Sequence, residues 1–221
     1  MAKAFPNTGA ITGTNADRLA LSGVFEGMQF FETDTNKMLV YDGASWVEQA
    51  KLDAVGLVHI NTTSFSNSSA IAVNNVFSSD YVTYRITGNI PVFTGSGDAQ
   101  LRMRMRASGS NATSGHYHRG SAEYVSNGTV TGWGGNNLSY FILTYLGAGV
   151  TNTYSTFSID MHRPYVADRT NYGGVCSGYA SGTFVGWIGG HHSFSTSYDG
   201  FELVPASNTI TGSVSIYGYK E

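Results

Sequence analysis

The sequence predicts an all-β protein whose main domain is an antiparallel β-sandwich of jelly-roll-like form. Strand-like segments follow one another at close spacing, and no convincing helical stretch interrupts them. Aromatic residues make up 13% of the chain and there are 28 glycines, a combination that suits aromatic cross-strand pairs joined by tight turns. The dipeptide Asn127-Gly128 lies between the segments EYVS and TVTG, where it predicts a hairpin turn because both turn positions need positive φ.

Composition narrows the classes of function. Only 12% of the 221 residues are charged and the net charge is −3, so nothing favours binding to nucleic acid or to an anionic membrane. No apolar run approaches the roughly 18 residues of a membrane span. Cys176 is the one cysteine, which excludes a disulfide framework, and the N-terminus lacks the apolar core of a secretory signal. We therefore expect a protein made in a reducing cytoplasm that uses no cofactor.

Four regions follow one another along the chain. Residues 1–26 have little periodicity and predict an extended arm, with room for a single helical turn after Asn15. Residues 27–50 form a predicted hairpin module, and residues 51–55 a candidate linker. Residues 56–221 form the predicted sandwich.

Within the sandwich region, each predicted strand is a run of β-type residues bounded by turn residues. No segment repeats at a fixed period, which argues against a solenoid or propeller. In order, the predicted strands are LVHINTTSF, AIAVNNVF, DYVTYRITGNI, AQLRMRMRA, HYHRGSAEYVS, TVTGW, LSYFILTYL, TYSTFSIDMH, VCSGYASGTFVGWIG, SFSTSYDGFELV and TGSVSIYGYK.

The hairpin module carries more apolar surface than a few short strands can bury. Phe30, Leu39, Tyr41 and Trp46 all fall within it, and an isolated hairpin is marginally stable in water. These residues therefore need a partner surface. Two partners remain open, namely a base shared by several chains and the sandwich of the same chain.

The segment LRMRMRA alternates strictly, so that its three arginines share one face of a strand and its leucine and methionines the other. The arginines are Arg102, Arg104 and Arg106. One interpretation is a sheet with a core face and a solvated face. The other is that the arginines meet carboxylates across a subunit interface, for which the candidates are Glu123, Asp160 and Glu202.

The hairpin module resembles a short hairpin found in many virion proteins of tailed bacteriophages. In that module a glycine opens the first strand, an Asp-Thr turn reverses it, and Tyr-Asp-Gly precedes a tryptophan. The matching positions are Gly27, Asp34, Thr35, Tyr41, Asp42, Gly43 and Trp46, within about twenty residues.

The sandwich region also resembles β-sandwich appendage domains of phages, notably marine and cyanobacterial ones. Three strands recur there in order, with the patterns d-Y-x-x-Y-r, l-R-x-R and i-t-G-x-v-x-v-Y-G. The matching positions here are Tyr81, Tyr84, Arg85, Arg102, Arg104, Gly212, Tyr217 and Gly218.

The two resemblances imply a phage appendage protein located on the virion and assembled in the host cytoplasm. They imply a homotrimer whose N-terminal region is anchored to other virion proteins of the tail or capsid, with Phe30, Leu39, Tyr41 and Trp46 buried jointly. We expect a fibre or tip protein whose distal loops bind a host-surface polysaccharide. The alternative is a capsid decoration or head-spike protein without a dedicated receptor site.

Glycine-rich connections predict where a receptor is bound, because loops cluster at the two ends of a sandwich. The connections are residues 107–115, 132–137, 167–174 and 189–193. Trp133, Asn171, Tyr172 and His191 supply the aromatic platform and polar groups that sugars require. We assign Trp187 to the core or a sheet pair, because it lies within a strand-like run.

Metal binding and catalysis have weaker support. His116 and His118 form a His-x-His pair that suits iron, nickel or zinc, but two exposed or hydrogen-bonded histidines are the more ordinary interpretation. Polysaccharide cleavage would need two paired carboxylates, and no such pair is legible among Glu123, Asp160, Asp168, Asp199 and Glu202. We expect a binding protein and not an enzyme.

Overall fold

The computed structural model describes residues 11–49, 56–125, 128–148, 151–180 and 182–220, with the side chains of residues 125 and 151–153 left out of that description. The protein is all-β, as predicted, and its sheets are almost entirely antiparallel. It divides into two compact units, Met1–Val55 and Gly56–Glu221. The predicted arm residues 1–10 and the predicted linker 51–55 lie outside the described residues. Within the described part of the chain, no helix is long and apolar enough to cross a membrane.

The N-terminal unit is a four-stranded sheet with one short helix. Strand β1 pairs in parallel with β2, whereas β2 with β3 and β3 with β4 are antiparallel. The elements are β1 (Ile11–Gly13), α1 (Asn15–Leu19), β2 (Gln29–Glu32), β3 (Lys37–Tyr41) and β4 (Trp46–Glu48).

Local chemistry determines the turns and the helix start. Thr14 caps α1, since its hydroxyl accepts from the amide of Asp17 and the Asp17 carboxylate accepts from the amide of Thr14 at 2.8 Å. Asp42 holds the second turn by accepting from the amides of Ala44 and Ser45 at 2.9 and 2.7 Å. The following Gly43 has a φ of +95°, which favours glycine.

Strand β1 and helix α1 complete the sheet, so residues 11–19 are not a free arm. Phe30 is 1% exposed and Leu39 is buried, while Trp46 makes edge contacts with the rings of Phe30 and Tyr41 at 6.0 and 5.5 Å. Arg18 of α1 lies 5.9 Å from the Trp46 ring. The segment before the hairpin thus covers part of the apolar surface of the hairpin module. The sequence predicts that other chains or the sandwich would cover it.

The C-terminal unit is a sandwich of a large and a small sheet. The large sheet has the order β11-β10-β15-β14-β13-β7-β17-β5, and the small sheet has the order β12-β8-β16-β6 with β9 paired to β8. The strands are β5 (Gly56–Ser68), β6 (Ile71–Val73), β7 (Thr83–Phe93), β8 (Ala99–Ala107), β9 (Ser110–Asn111), β10 (Tyr117–Val125), β11 (Val130–Leu138), β12 (Phe141–Leu146), β13 (Thr151–His162), β14 (Thr170–Tyr179), β15 (Thr183–His192), β16 (Gly200–Pro205) and β17 (Ile210–Lys220).

The core of this unit lies between the two sheets. Large apolar side chains of both sheets meet there with almost no exposure, including Tyr84, Phe141, Phe157 and Phe201. The hairpin predicted at Asn127-Gly128 is confirmed, since β10 and β11 pair antiparallel from Tyr117↔Leu138 to Tyr124↔Val130. Asn127 itself lies outside the described residues, and Gly128 has a φ of +84°.

The alternation of β8 is confirmed, because Leu101, Met103 and Met105 are fully buried while the arginines between them face outward. Arg104 and Arg106 pair with Glu202 of the neighbouring strand β16, at 3.6 and 3.8 Å. Arg102 bonds Gln100 and stacks over the Tyr140 ring at 4.1 Å. The arginines therefore find partners within the chain and do not require carboxylates of another subunit.

Three of the four predicted loops are largely strand. Residues 132–137 belong to β11, and the greater parts of 167–174 and 189–193 belong to β14 and β15. Their glycines lie at paired positions of the large sheet and not in turns. The connection 107–115 does contain a turn, in which Ser108 and Gly109 have φ of +49° and +78°.

Candidate functional site

The outer face of the large sheet carries the strongest candidate site. Strands β10, β14 and β15 send alternate side chains into the core, such as Tyr117, Tyr172 and Ile188, so the intervening residues face outward. Cross-strand pairing then aligns these outward residues into rows that run across the sheet. We call this surface the sheet face.

A groove of about 500 Å³ crosses the sheet face. Aromatic and aliphatic side chains form one side of it and hydroxyl side chains the other. None of the described residues that line it carries a charge. They include Tyr124, Val175, Val185 and Trp187 on the apolar side and Thr87, Thr156, Ser158 and Ser177 on the hydroxyl side. We call it the sheet-face groove.

Trp187 dominates the apolar side of this groove. Trp187 is 66% exposed. In the sheet it pairs with Ala122 of β10 on one side and with Val175 of β14 on the other. Of the two roles expected for Trp187, the structure therefore supports the sheet pair and not the core. The segment TFVGWIGG alternates, but Phe184 and Ile188 take the inner positions and Val185 and Trp187 the outer ones.

One row further along the sheet face, four adjacent strands carry glycine at paired positions. The pairs are Gly134↔Gly120, Gly120↔Gly189 and Gly189↔Gly173. A Cβ at Gly120 would have no neighbour within 4 Å, and one at Gly134 or Gly173 would meet its nearest atom at 3.8 or 4.0 Å. Interior packing therefore does not require glycine at these three positions, although glycine weakens a strand. At Gly189 a Cβ would lie 3.3 Å from the carbonyl oxygen of Tyr172, a tighter contact. The row leaves a shallow furrow beside Trp187.

Imidazole and amide groups line the far side of the furrow. His118 and His191 are paired residues whose rings stack with centroids 4.5 Å apart, and Asn171 is paired with His191 on the next strand. Nδ1 of His118 lies 3.2 Å from Oδ1 of Asn136. Burial, followed by the neighbouring charges of His118 and Arg169, lowers the pKa of His191. The His191 ring is thus available as a neutral hydrogen-bonding group near neutral pH.

The glycine row continues into a charged pair. Asp160 pairs with Gly173 on one side and with Arg85 on the other, and its carboxylate accepts from Arg85 at 2.9 and 2.7 Å and from the Tyr219 hydroxyl at 2.8 Å. Burial would raise the pKa of Asp160, but these hydrogen bonds and the charge of Arg85 together lower it. The furrow therefore ends at an ionised carboxylate, that of Asp160, which is already hydrogen-bonded to Arg85 and Tyr219.

The structure separates the four residues that the sequence proposed as a glycan site. Asn171 and His191 lie together on the sheet face. Trp133 faces the opposite side of the large sheet, at a position on β11 paired with Ser121, and is 53% exposed. Tyr172 is 4% exposed and packs on Phe141 in the core, so its prediction as a ligand-binding loop residue is wrong.

Within the described part of this chain, the His-x-His pair has no further metal-ligating side chain grouped with it. His118 stacks on His191, whereas His116 packs against Phe194 with ring centroids 4.8 Å apart. Among the residues that the structure describes, no group of three or more His, Cys, Asp or Glu side chains is arranged to hold a metal ion. His116 and His118 are accounted for by ring packing and hydrogen bonding.

Comparisons with known proteins add little. No family model matches the chain, and no curated protein matches it. A solved structure that is similar is the CBM2 module of an evolved Dit protein from Lactobacillus casei BL23 phage J-1, at 9% identity over 69% of each chain. The TM-score is 0.23, which is too low to carry a conclusion about this chain.

Proposed function

We propose that this protein is a virion appendage protein of a tailed bacteriophage and that its sheet face binds a chain of host-surface polysaccharide. The observation that carries the proposal is the sheet-face groove, in which Trp187 and Tyr124 stand opposite the hydroxyls of Thr156 and Ser158. A sugar ring has an apolar face and a hydroxyl rim. Stacking on an indole ring buries the apolar face of the sugar, and side-chain hydroxyls form hydrogen bonds with the hydroxyls of its rim.

A carbohydrate fits this surface better than a peptide does. The strands that carry the groove and the furrow have neighbours on both sides, apart from β11 at the sheet edge, so their backbone groups are already paired. An extended peptide across them would leave its own amide and carbonyl groups without partners. A glycan needs no backbone partner, because its hydroxyls can bond to side chains such as His191, Asn171 and Ser158.

The groove is suited to binding and not to cleavage. Hydrolysis of a glycosidic bond needs two carboxyl groups on either side of that bond, and the described residues that line the groove include no acid and no histidine. Cys176 borders it, but burial raises the pKa of its thiol to about 12. A bound sugar chain would therefore be held intact.

The proposed virion location and homotrimer rest on the two motif resemblances, together with the folded N-terminal unit. In that unit the matched residues occupy defined structural positions: Gly27 and Gly43 have positive φ, Asp42 holds a turn and Trp46 packs on Tyr41. A small folded unit of this kind can serve as the anchor to other virion proteins. Three copies would multiply a weak sugar affinity through avidity.

The proposal is tested by incubating the full-length protein on an array of bacterial surface polysaccharides. We expect binding to a subset of polysaccharides, competed by the same polysaccharide in solution. Trp187→Ala should remove this binding, whereas Tyr165→Ala, which truncates an exposed aromatic residue outside the groove, should not. Binding to no polysaccharide would contradict the glycan proposal and favour the decoration protein.

A further inference from the structure

A second cavity lies on the opposite side of the large sheet from the sheet-face groove. It has a volume of about 680 Å³, within the range of small-ligand sites. Its walls come from strands β8, β10, β11, β12 and β15 and from nearby connections. We call it the rim cleft; its lining includes Gln100, Arg102, Arg119, Glu123, Trp133 and Tyr145.

Three residues of β10 present polar groups to the inner side of the sheet here. Arg119, Ser121 and Glu123 alternate along the strand, and their β11 partners are Gly135, Trp133 and Thr131. Glu123 is 6% exposed. Burial raises the pKa of its carboxyl group, although a hydrogen bond from Ser121 and the nearby charge of Arg119 favour the ionised form. A carboxyl group is thus buried against a cleft that has room for a ligand.

One buried donor of the same strand lacks a partner within the described chain. Nε of Arg119 has no hydrogen-bond partner there, although another part of the same side chain interacts with Tyr145. Leaving such a group unsatisfied is unfavourable, so native structures supply a partner in most cases. A ligand oxygen in the rim cleft would satisfy the Arg119 donor.

The remaining side chains add aromatic rings and a positively charged guanidinium to the lining of the cleft. Trp133 is 53% exposed and lines the cleft beside Tyr145. The Arg102 guanidinium is held by Gln100 and by stacking on Tyr140. Acidic and basic groups are both present, with Arg102 and Arg119 against Glu123 and Asp98. The cleft therefore has no excess charge that would select an anion or a cation.

From these features we infer that the rim cleft is a second carbohydrate site, which binds the uncharged end or branch residue of a saccharide. The ring stacks on Trp133, one hydroxyl accepts from Nε of Arg119, and another hydroxyl donates to the carboxylate of Glu123. Arg119 and Glu123 leave the strand about 13 Å apart, but both long side chains line the one cleft, and sugar hydroxyls can both accept and donate. This site is independent of the sheet-face groove, because no residue lines both.

The test is saturation-transfer NMR of the full-length protein with methyl glycosides of glucose, galactose and mannose and with methyl glucuronide. We expect at least one neutral glycoside to bind, and to bind more strongly than the acidic one. Trp133→Ala and Glu123→Gln should each weaken that binding at least tenfold. The second variant keeps the shape of the side chain. Trp187→Ala should leave it unchanged, which separates this site from the groove.

The pH profile separates a direct role of Glu123 from a structural one. If its carboxylate accepts a sugar hydroxyl, affinity falls as the pH is lowered through its raised pKa, and Glu123→Gln abolishes that dependence. The inference is overturned if no neutral methyl glycoside binds, if the acidic one binds best, or if Trp133→Ala and Glu123→Gln bind like the wild type. Polysaccharide binding that depends on Trp187 would still stand in each of those cases.

Discussion

The Tyr198 hydroxyl lies 3.1 Å from Nδ1 of His192, and both side chains are almost completely buried. Nε2 of His192 is also buried and has no hydrogen-bond partner in the described chain. Burial, with a contribution from the charge of His116, lowers the pKa of His192 to about 4. The imidazole is therefore held neutral inside the sandwich.

This burial predicts a loss of stability on acidification. Between about pH 6.5 and pH 4 the unfolded chain binds a proton at this position and the folded chain does not, so the free energy of unfolding decreases as the pH falls through that window. Urea titrations at several pH values measure it. His192→Gln should flatten the profile there more than His191→Gln does, because His192 is fully buried whereas His191, whose pKa is also lowered, is only partly buried on the outer face. Equal slopes for both variants would contradict the assignment to His192.

The N-terminal unit predicts a local role for Trp46. Its two edge contacts with Phe30 and Tyr41 are worth about 0.5–1.5 kcal/mol each, so Trp46→Ala should destabilise that unit by about 1–3 kcal/mol. Hydrogen exchange at the amides of β2 and β3 would accelerate, while amides of β13 and β14 stay protected. Val47→Ala, an exposed neighbour, is the control. Unchanged exchange in β2 and β3 would show that Trp46 does not hold the sheet.

The glycine row makes a prediction that separates binding from stability. Gly120→Val should keep or raise the melting temperature, because a Cβ there has open space and valine favours strands, yet it should weaken polysaccharide binding by filling the furrow. Gly174→Ala is the contrasting variant, since its Cβ would overlap the carbonyl oxygen of Ser158 and should lower the melting temperature. Undiminished binding by Gly120→Val would exclude the furrow from the site.

The oligomeric state remains a prediction from the resemblance. With a chain mass of 23.6 kDa, sedimentation equilibrium should give a species of about three times that mass. Arg104→Gln should not dissociate it, because Arg104 pairs with Glu202 of its own chain. A monomer at micromolar concentration would end the trimer proposal and leave each sugar site to act alone.

The fold was largely predictable from the sequence, whereas the site was predictable only in part. Strict alternation in LRMRMRA assigned the buried face of β8 correctly. In TFVGWIGG both faces carry apolar residues, so alternation alone could not show that Trp187 points outward and Phe184 inward. Glycine-rich segments predict loops, because glycine is commonest in turns. Gly173 and Gly189 pair across neighbouring strands. This pairing depends on tertiary structure, so the local sequence cannot predict it.

The most direct test of the account is the affinity of the full-length protein for its polysaccharide, measured by isothermal titration calorimetry with wild type, Trp187→Ala and Tyr165→Ala. Loss of one stacked indole should cost at least about 1.4 kcal/mol, a tenfold increase in Kd, for Trp187→Ala. Tyr165→Ala should match the wild type, and all three proteins should melt within about 2 °C of one another. Equal affinity of Trp187→Ala and wild type would contradict the claim that the sheet face binds glycan.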